Sequence, residues 1–82
     1  MDAEIRAKVR DFIVNNFYVT EPSVITGSAS LRDRGIVDST GMLEVVSFLE
    51  QEFGLEVADH ELVADNFDTL DAIIAYVARK RN

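Results

Sequence analysis

The side chains with the clearest chemical potential lie in one short segment, Asp38-Ser39-Thr40. A serine hydroxyl can act as a nucleophile when a base lies nearby, or it can accept a covalent modification from another enzyme. His60 is the only histidine of the chain, and its place in an acidic turn is typical of a solvated side chain. The sequence therefore disfavours a hydrolase that uses Ser39 and His60.

Other common kinds of site are missing from the sequence. The chain has no cysteine, so it has no disulfide, no thiol of its own and no zinc-binding cysteine pattern. It has no glycine-rich phosphate loop, and residues 65–68 lack the glycine and the terminal glutamate of a calcium loop. We therefore expect neither a metal site nor catalytic activity.

Length and composition predict a small globular protein. Of the 82 residues, 48% are hydrophobic and 28% are charged, which is typical of a folded chain. The length predicts one domain over residues 1–82. No apolar run reaches the ~18–20 residues of a membrane span, and the acids of the first segment are untypical of a signal peptide. We therefore expect a cytoplasmic protein.

The charge is unevenly distributed. The formal net charge is −7, and residues 35–78 contain ten Asp or Glu but no Lys or Arg. A field of this sign repels phosphate backbones and anionic lipid, which disfavours nucleic acids and membrane surfaces as partners. It favours basic protein surfaces. Acidity that serves only to keep a small domain soluble is the alternative interpretation.

Apolar residues recur at helical spacing in three stretches. These are residues 5–17, about 39–53 and about 69–79, and a turn around residues 59–63 is expected to supply one further helical piece. Gly54 stands where a left-handed residue would end the second helix, and Asp68 could cap the third. With a long loop over residues 18–38, the pattern predicts an all-α bundle in which the first two helices can lie antiparallel. We expect apolar side chains of this loop to attach it to the core, namely Val24, Ile25, Leu31, Ile36 and Val37.

Two segments carry a family resemblance. Residues 35–39 (Gly-Ile-Val-Asp-Ser), followed by an acidic amphipathic helix that ends in Glu-Phe-Gly at 52–54, resemble the acyl carrier protein family. Residues 66–73 resemble the start of that family's last helix. The resemblance extends over nearly the whole chain in length, helix order, long first loop and acidity.

The resemblance implies a small four-helix bundle of the acyl carrier protein type and a covalent phosphopantetheine arm on Ser39, donated by coenzyme A. The thiol of that arm carries acyl or aminoacyl groups as thioesters. Asp38 matches the acid of the motif, and we expect it to cap the helix first and to assist transferase recognition second. The implied partners are a phosphopantetheinyl transferase, a loading acyl or aminoacyl ligase or transferase, and downstream enzymes with basic docking patches. We expect a monomer.

Helix geometry also predicts a partner-binding face on the second helix, away from its apolar stripe. Glu44 and Glu50 match positions at which carrier proteins present acids to basic patches on their enzymes. Such contacts would be weak and sensitive to salt. The predicted face consists of Thr40, Leu43, Glu44, Ser47, Glu50 and Gln51.

Three residues depart from the family pattern. Thr40 replaces the usual Leu after the serine, Gly41 is a poor helix former, and Ser47 replaces an apolar residue. These departures favour a specialised stand-alone carrier of a polyketide, aminoacyl or modified-lipid pathway over the housekeeping fatty-acid carrier. The alternative function is an acidic helical domain that keeps the fold, is never modified and binds a basic partner noncovalently.

Overall fold

The structure, a computed structural model, describes residues 2–17, 19, 21, 23 and 25–81. These residues include four α-helices and a 3₁₀ turn at residues 59–61 and contain no strand, so the predicted all-α bundle is confirmed. None of the helices in these ranges is long and apolar enough to cross a membrane. The elements are α1 (Asp2–Asn16), α2 (Ser39–Phe53), the 3₁₀ turn (Asp59–Glu61), α3 (Ala64–Phe67) and α4 (Leu70–Arg81).

Contacts between α1 and α2 show that the two helices are antiparallel. The rings of Phe12 and Phe48 stack with their centroids 4.2 Å apart. One turn earlier in α1, Lys8 Nζ lies 2.9 Å from Glu52 Oε2, which is one turn later in α2. Residue numbers therefore rise along α1 as they fall along α2, and the end of α1 meets the start of α2.

The core lies between α1, α2 and α4 and is closed by the loop after α1. The predicted apolar stripes face inward, and Tyr76 joins that of α4. Ile25, Leu31 and Val37 attach the loop to the core as expected, whereas Val24 lies outside the described residues. The buried hydrophobic residues of the helices are Ile5, Val9, Ile13, Val45, Val46, Leu49, Phe67, Leu70, Ile73, Ile74, Tyr76 and Val77.

The caps of α2 agree with the sequence, and the cap of α4 does not. Gly54 ends α2 in the left-handed region (φ 66°, ψ 39°), and its N–H donates to the carbonyl of Glu50. The prediction that Asp68 caps α4 was wrong, because Thr69 Oγ1 accepts the N–H of Ala72 instead. Asp68 is occupied by the loop before α2, as described below.

The segment after α2 contains more helix than expected. The sequence predicted one piece at residues 59–63, and the structure has the 3₁₀ turn followed by α3. Glu61 holds this segment on α4, since its Oε1 accepts from the Ala58 N–H, the Tyr76 hydroxyl and the Lys80 ammonium, each at 3.0 Å. These contacts fix the segment that faces the start of α2.

Candidate functional site

Asp38 and Ser39 lie at the start of α2 and have different structural roles. Asp38 is the N-cap, with an extended backbone (φ −96°, ψ −172°), and its Oδ1 accepts the Gly41 N–H at 2.7 Å. This confirms the predicted capping role of Asp38. Ser39 is the first helical residue and is exposed, and its hydroxyl has no hydrogen-bond partner among the described residues. The serine hydroxyl is therefore available for chemistry.

A tight turn directs the chain into this helix start. Gly35 has φ 71°, a value that favours glycine, and its N–H donates to the Arg32 carbonyl at 3.0 Å. The next N–H, that of Ile36, donates to the Leu31 carbonyl at 3.0 Å, and Val37 is buried. The turn is thus anchored immediately before Asp38, which fixes where α2 begins.

Packing against Phe17 explains why glycine stands at position 41, where the sequence departs from the family pattern. Gly41 is buried in the first turn of α2, and a Cβ atom built there would lie 2.6 Å from Cε1 of Phe17. Such a distance is too short for carbon atoms in contact, so the ring at the end of α1 occupies the space that a side chain would need. The glycine therefore permits close packing of α1 against the start of α2.

A groove of about 300 Å³ lies beside Ser39. One wall is the first turn of α2, another is the turn that carries Arg32, and the third is the segment between the 3₁₀ turn and α3. Most of its lining is apolar, with one basic and one acidic side chain near the serine. The lining residues are Arg32, Asp38, Ser39, Met42, Leu43, Leu62 and Ala64.

The electrostatics at this end of α2 favour an anion attached to Ser39. The first amide groups of a helix lack carbonyl partners and carry the positive end of the helix dipole. Arg32 adds a cation to the groove, and the Asp38 carboxylate is engaged by the Gly41 N–H. An exposed hydroxyl beside a largely apolar groove fits a long flexible arm joined through a phosphodiester.

Other sequence candidates lie away from the groove. His60 is exposed in the 3₁₀ turn and does not line the groove beside Ser39. Across the part of the chain that the structure describes, no three His, Cys, Asp or Glu side chains are grouped so that they could hold a metal ion.

The residues of the predicted partner face differ in their exposure. Thr40, Glu44, Ser47 and Gln51 are exposed, and Leu43 is 59% exposed, which is unusual for a large apolar side chain. Glu50 differs, because it is half-buried and its Oε2 accepts the Val57 N–H at 3.0 Å. Glu50 therefore ties the segment after α2 to the helix.

Four groove residues, Arg32, Met42, Leu62 and Ala64, were not identified as site residues from the sequence. Arg32 lies in the loop predicted over residues 18–38, Met42 lies on the apolar stripe of the second helix, and Leu62 and Ala64 lie in a segment whose fold was only partly predicted. A basic residue seven positions before the serine was the only available signal. Its proximity to Ser39 depends on how the loop packs against α3, which no local pattern encodes.

Comparisons with known proteins indicate the family of the chain. The family model described as "Phosphopantetheine attachment site" matches residues 7–77. A mitochondrial acyl carrier protein 2 of Arabidopsis thaliana is 36% identical over 66 residues, which are 80% of this chain and 51% of that protein. The acyl carrier protein of Lactobacillus acidophilus is 32% identical over 76 residues, covering 93% of this chain and 91% of the relative. The chain thus spans about half the length of the plant relative.

Proposed function

The chain belongs to the acyl carrier protein family, and we propose that Ser39 is the residue that bears its phosphopantetheine arm. Members of this family are carriers with a covalently attached prosthetic group, and the cysteine-free chain has no thiol of its own. The arm supplies that thiol, on which acyl or aminoacyl groups travel as thioesters between partner enzymes.

One observation carries this proposal: the Ser39 hydroxyl is exposed and has no hydrogen-bond partner among the described residues. A serine that capped α2 would have its oxygen committed to a backbone N–H. Here Asp38 performs that task, so modification of Ser39 removes no internal contact. The helix can therefore keep its start in both the unmodified and the modified protein.

The modification is a group transfer with a simple balance. The Ser39 Oγ atom attacks the phosphorus of coenzyme A that bears the pantetheine, and a new P–O bond forms. The bond from that phosphorus to the adenosine bisphosphate breaks, and adenosine bisphosphate leaves with the bridging oxygen. The hydroxyl proton passes to a base of the transferase or to water. The chain's own part is to present the oxygen at an exposed helix start.

The partner-binding face belongs to the same proposal. Leu43 offers an exposed apolar contact one helical turn after Ser39, and Glu44 offers an adjacent carboxylate. Apolar anchors surrounded by polar groups are typical of protein interfaces, and charges at the edge mainly raise encounter rates. We propose that transferase, loading enzyme and downstream enzymes use this face, with Thr40, Ser47 and Gln51 at its margin. Glu50 belongs to the same proposed face, and its Oε2 in addition accepts the Val57 N–H.

The pathway and the compartment are finer proposals. The residues Thr40, Gly41 and Ser47 support a specialised carrier of polyketide, aminoacyl or modified-lipid intermediates over a housekeeping fatty-acid carrier. The cytoplasm is proposed as its compartment, although one of its relatives is mitochondrial. We also propose that the carrier acts as a monomer and constitutes one domain over residues 1–82.

The test is loading in solution. The protein is incubated with coenzyme A, magnesium and a promiscuous phosphopantetheinyl transferase, and its intact mass is measured beside Ser39→Ala and Ser47→Ala. Ser47 is a matched control because it is an exposed serine on the same helix. We expect wild type and Ser47→Ala to gain one phosphopantetheine and Ser39→Ala to gain none.

Two results would contradict the proposal. Loading of Ser39→Ala would move the attachment site elsewhere in the chain. No loading of the folded wild type, either with this transferase or in lysate of the native host, would favour the unmodified interaction domain. A known carrier loaded in the same reaction shows that the transferase is active.

A further inference from the structure

Arg32 is the basic residue of the groove lining, and it lies just before the long acidic stretch of the chain. No Lys or Arg occurs between residues 35 and 78, and the net charge of the chain is −7. Arg32 nevertheless lines the groove beside Ser39, because the turn at residues 31–36 brings it there. It is the basic member of a lining that is otherwise apolar apart from Asp38 and Ser39.

The backbone of Arg32 is held firmly. Its N–H donates to Asp68 Oδ1 at 3.0 Å, and the Leu31 N–H donates to the Asp68 carbonyl at 2.7 Å. The Ser30 hydroxyl donates to the other carboxylate oxygen of Asp68, and Leu31 is buried. The place of Arg32 next to the groove is therefore fixed by the junction between α3 and α4.

The side chain of Arg32, in contrast, makes no hydrogen bond or ion pair with the described residues. No carboxylate among them lies within ion-pair distance of its guanidinium, although the sequence contains fifteen acids. The carboxylate nearest in the groove lining, that of Asp38, is engaged by the Gly41 N–H. Arg6 shows the ordinary alternative, since its guanidinium lies 2.7 Å from Asp71 Oδ1.

We propose that the Arg32 guanidinium binds the phosphodiester formed on Ser39 and so holds the first part of the arm against the groove. A guanidinium forms two parallel charge-assisted hydrogen bonds with phosphate oxygens, which makes Arg better suited than Lys for this contact. The phosphate is tethered at the mouth of the same groove, so its effective concentration near Arg32 is high. An exposed pair of this kind is weak enough to release the arm to a partner enzyme. This inference rests on the proposed function.

The test observes the arginine directly. Two-dimensional ¹H–¹⁵N NMR spectra of the Nε–Hε groups are recorded for unmodified protein and for protein whose loading has been verified by intact mass. We expect the Arg32 signal to shift on loading and its Nε proton to exchange with water about two- to fivefold more slowly, as for an exposed ion pair. The Arg34 signal should stay in place, because Arg34 is exposed on the same turn but does not line the groove. Added salt should reverse the shift.

Matched variants complete the test. In loaded Arg32→Gln, the ³¹P signal should move toward its position in the urea-unfolded loaded protein, whereas loaded Arg34→Gln should keep the wild-type signal. The Asp68 hydrogen bond is made by the backbone of residue 32, so Arg32→Gln should fold normally, and circular dichroism checks this. Arg32→Lys should retain part of the effect, since it keeps the charge and loses the paired geometry.

The outcomes distinguish this inference from the function on which it rests. No mass gain in wild type overturns the proposed function and this inference with it. A mass gain with an unmoved Arg32 signal, or equal ³¹P changes in Arg32→Gln and Arg34→Gln, overturns the inference and leaves Ser39 as the attachment residue. A mass gain with changes confined to Arg32 supports both.

Discussion

At the start of α2, two adjacent residues have separate tasks. Asp38 accepts the Gly41 N–H and thereby fixes the beginning of the helix, whereas Ser39 makes no side-chain hydrogen bond with the described residues. Family residues that are chemically active often also hold the fold, which makes their variants hard to interpret. Here the division means that stability and loading can be separated by substitution of neighbours.

This division leads to a prediction for stability. Asp38→Ala removes the cap and should lower the free energy of unfolding by ~0.5–2 kcal/mol. Ser39→Ala should change it by no more than about 0.5 kcal/mol, as for an exposed side chain without partners. Urea unfolding followed by circular dichroism measures both. A larger loss for Ser39→Ala than for Asp38→Ala would show that the serine holds the helix start.

At the scale of elements, aromatic contacts between α1 and α2 determine how the two helices pack at the end of the bundle that carries Ser39. Phe17 stands against Gly41, and Phe12 connects Phe17 to Phe48 through an edge-to-face contact of 6.1 Å and a stack of 4.2 Å. Phe53 continues this row of rings. The glycine is thus required for the packing of Phe17 against the start of α2. This packing offsets the poor helix propensity of glycine.

Gly41→Ala tests this packing. Alanine favours a helix over glycine by ~1 kcal/mol, but overpacking costs typically ~1–3 kcal/mol, so we expect a net loss of about 1 kcal/mol in the free energy of unfolding. In a Phe17→Leu background the obstructing ring atom is gone, and the same substitution should become neutral or stabilising. Chemical unfolding of the four proteins forms a double-mutant cycle. Equal effects of Gly41→Ala in both backgrounds would contradict the contact.

The 3₁₀ turn is attached to α4 through the carboxylate of Glu61, whose pKa is lowered. The Ala58 N–H and then the Lys80 ammonium lower the pKa of Glu61 from 4.5 to about 2. Burial, and then Glu61, raise the pKa of Tyr76 to about 12. Both shifts favour ionised Glu61 beside neutral Tyr76 at neutral pH, which is the state that holds one wall of the groove.

The lowered pKa of Glu61 predicts a pH dependence with a definite sign. The folded state favours the ionised carboxylate, so this stabilisation is complete above pH 4.5 and is lost as the pH falls toward about 2. Glu61→Gln should therefore show a shallower loss of stability between these pH values than wild type. NMR titration of the Glu61 carboxyl carbon measures the pKa itself. A midpoint near 4.5 would contradict the attachment.

At the scale of the whole molecule, the negative charge is concentrated in one part of the chain and favours encounters with basic protein surfaces. Ten acids and no bases lie in residues 35–78, and Arg32 precedes this region at the groove. Long-range attraction raises encounter rates without adding much affinity, which suits a carrier that must leave each enzyme. We propose that Leu43 and Glu44, with their exposed neighbours on α2, form the face that meets the enzyme.

Reversal of one charge tests this face. Glu44→Lys should slow initial loading of Ser39 at low salt by about three- to tenfold and should weaken the dependence of the rate on salt. Glu56→Lys is the control, since it makes the same charge change at an exposed residue beyond α2. Glu50→Lys is unsuitable because it also breaks the hydrogen bond to Val57. Equal slowing by Glu44→Lys and Glu56→Lys would indicate net charge rather than a defined face.

Much of this architecture could be predicted from local patterns. Apolar spacing predicted the three longer helices, Gly54 predicted the end of α2, and the family motif predicted Asp38 and Ser39 as site residues. Features that depend on contacts between distant segments could not be predicted. Asp68 looked like a cap for α4 because its sequence neighbours suggest it, yet its carboxylate binds the turn that carries Arg32.

The most direct test of the central claim locates the modification itself. The protein is either purified from its native host or loaded with coenzyme A, magnesium and a phosphopantetheinyl transferase. Peptide fragmentation by mass spectrometry then assigns the added mass to a residue. We predict phosphopantetheine on Ser39 and an unmodified Ser47 in the same peptide. The group on any other residue, or only unmodified Ser39 in protein from both sources, would contradict the assignment.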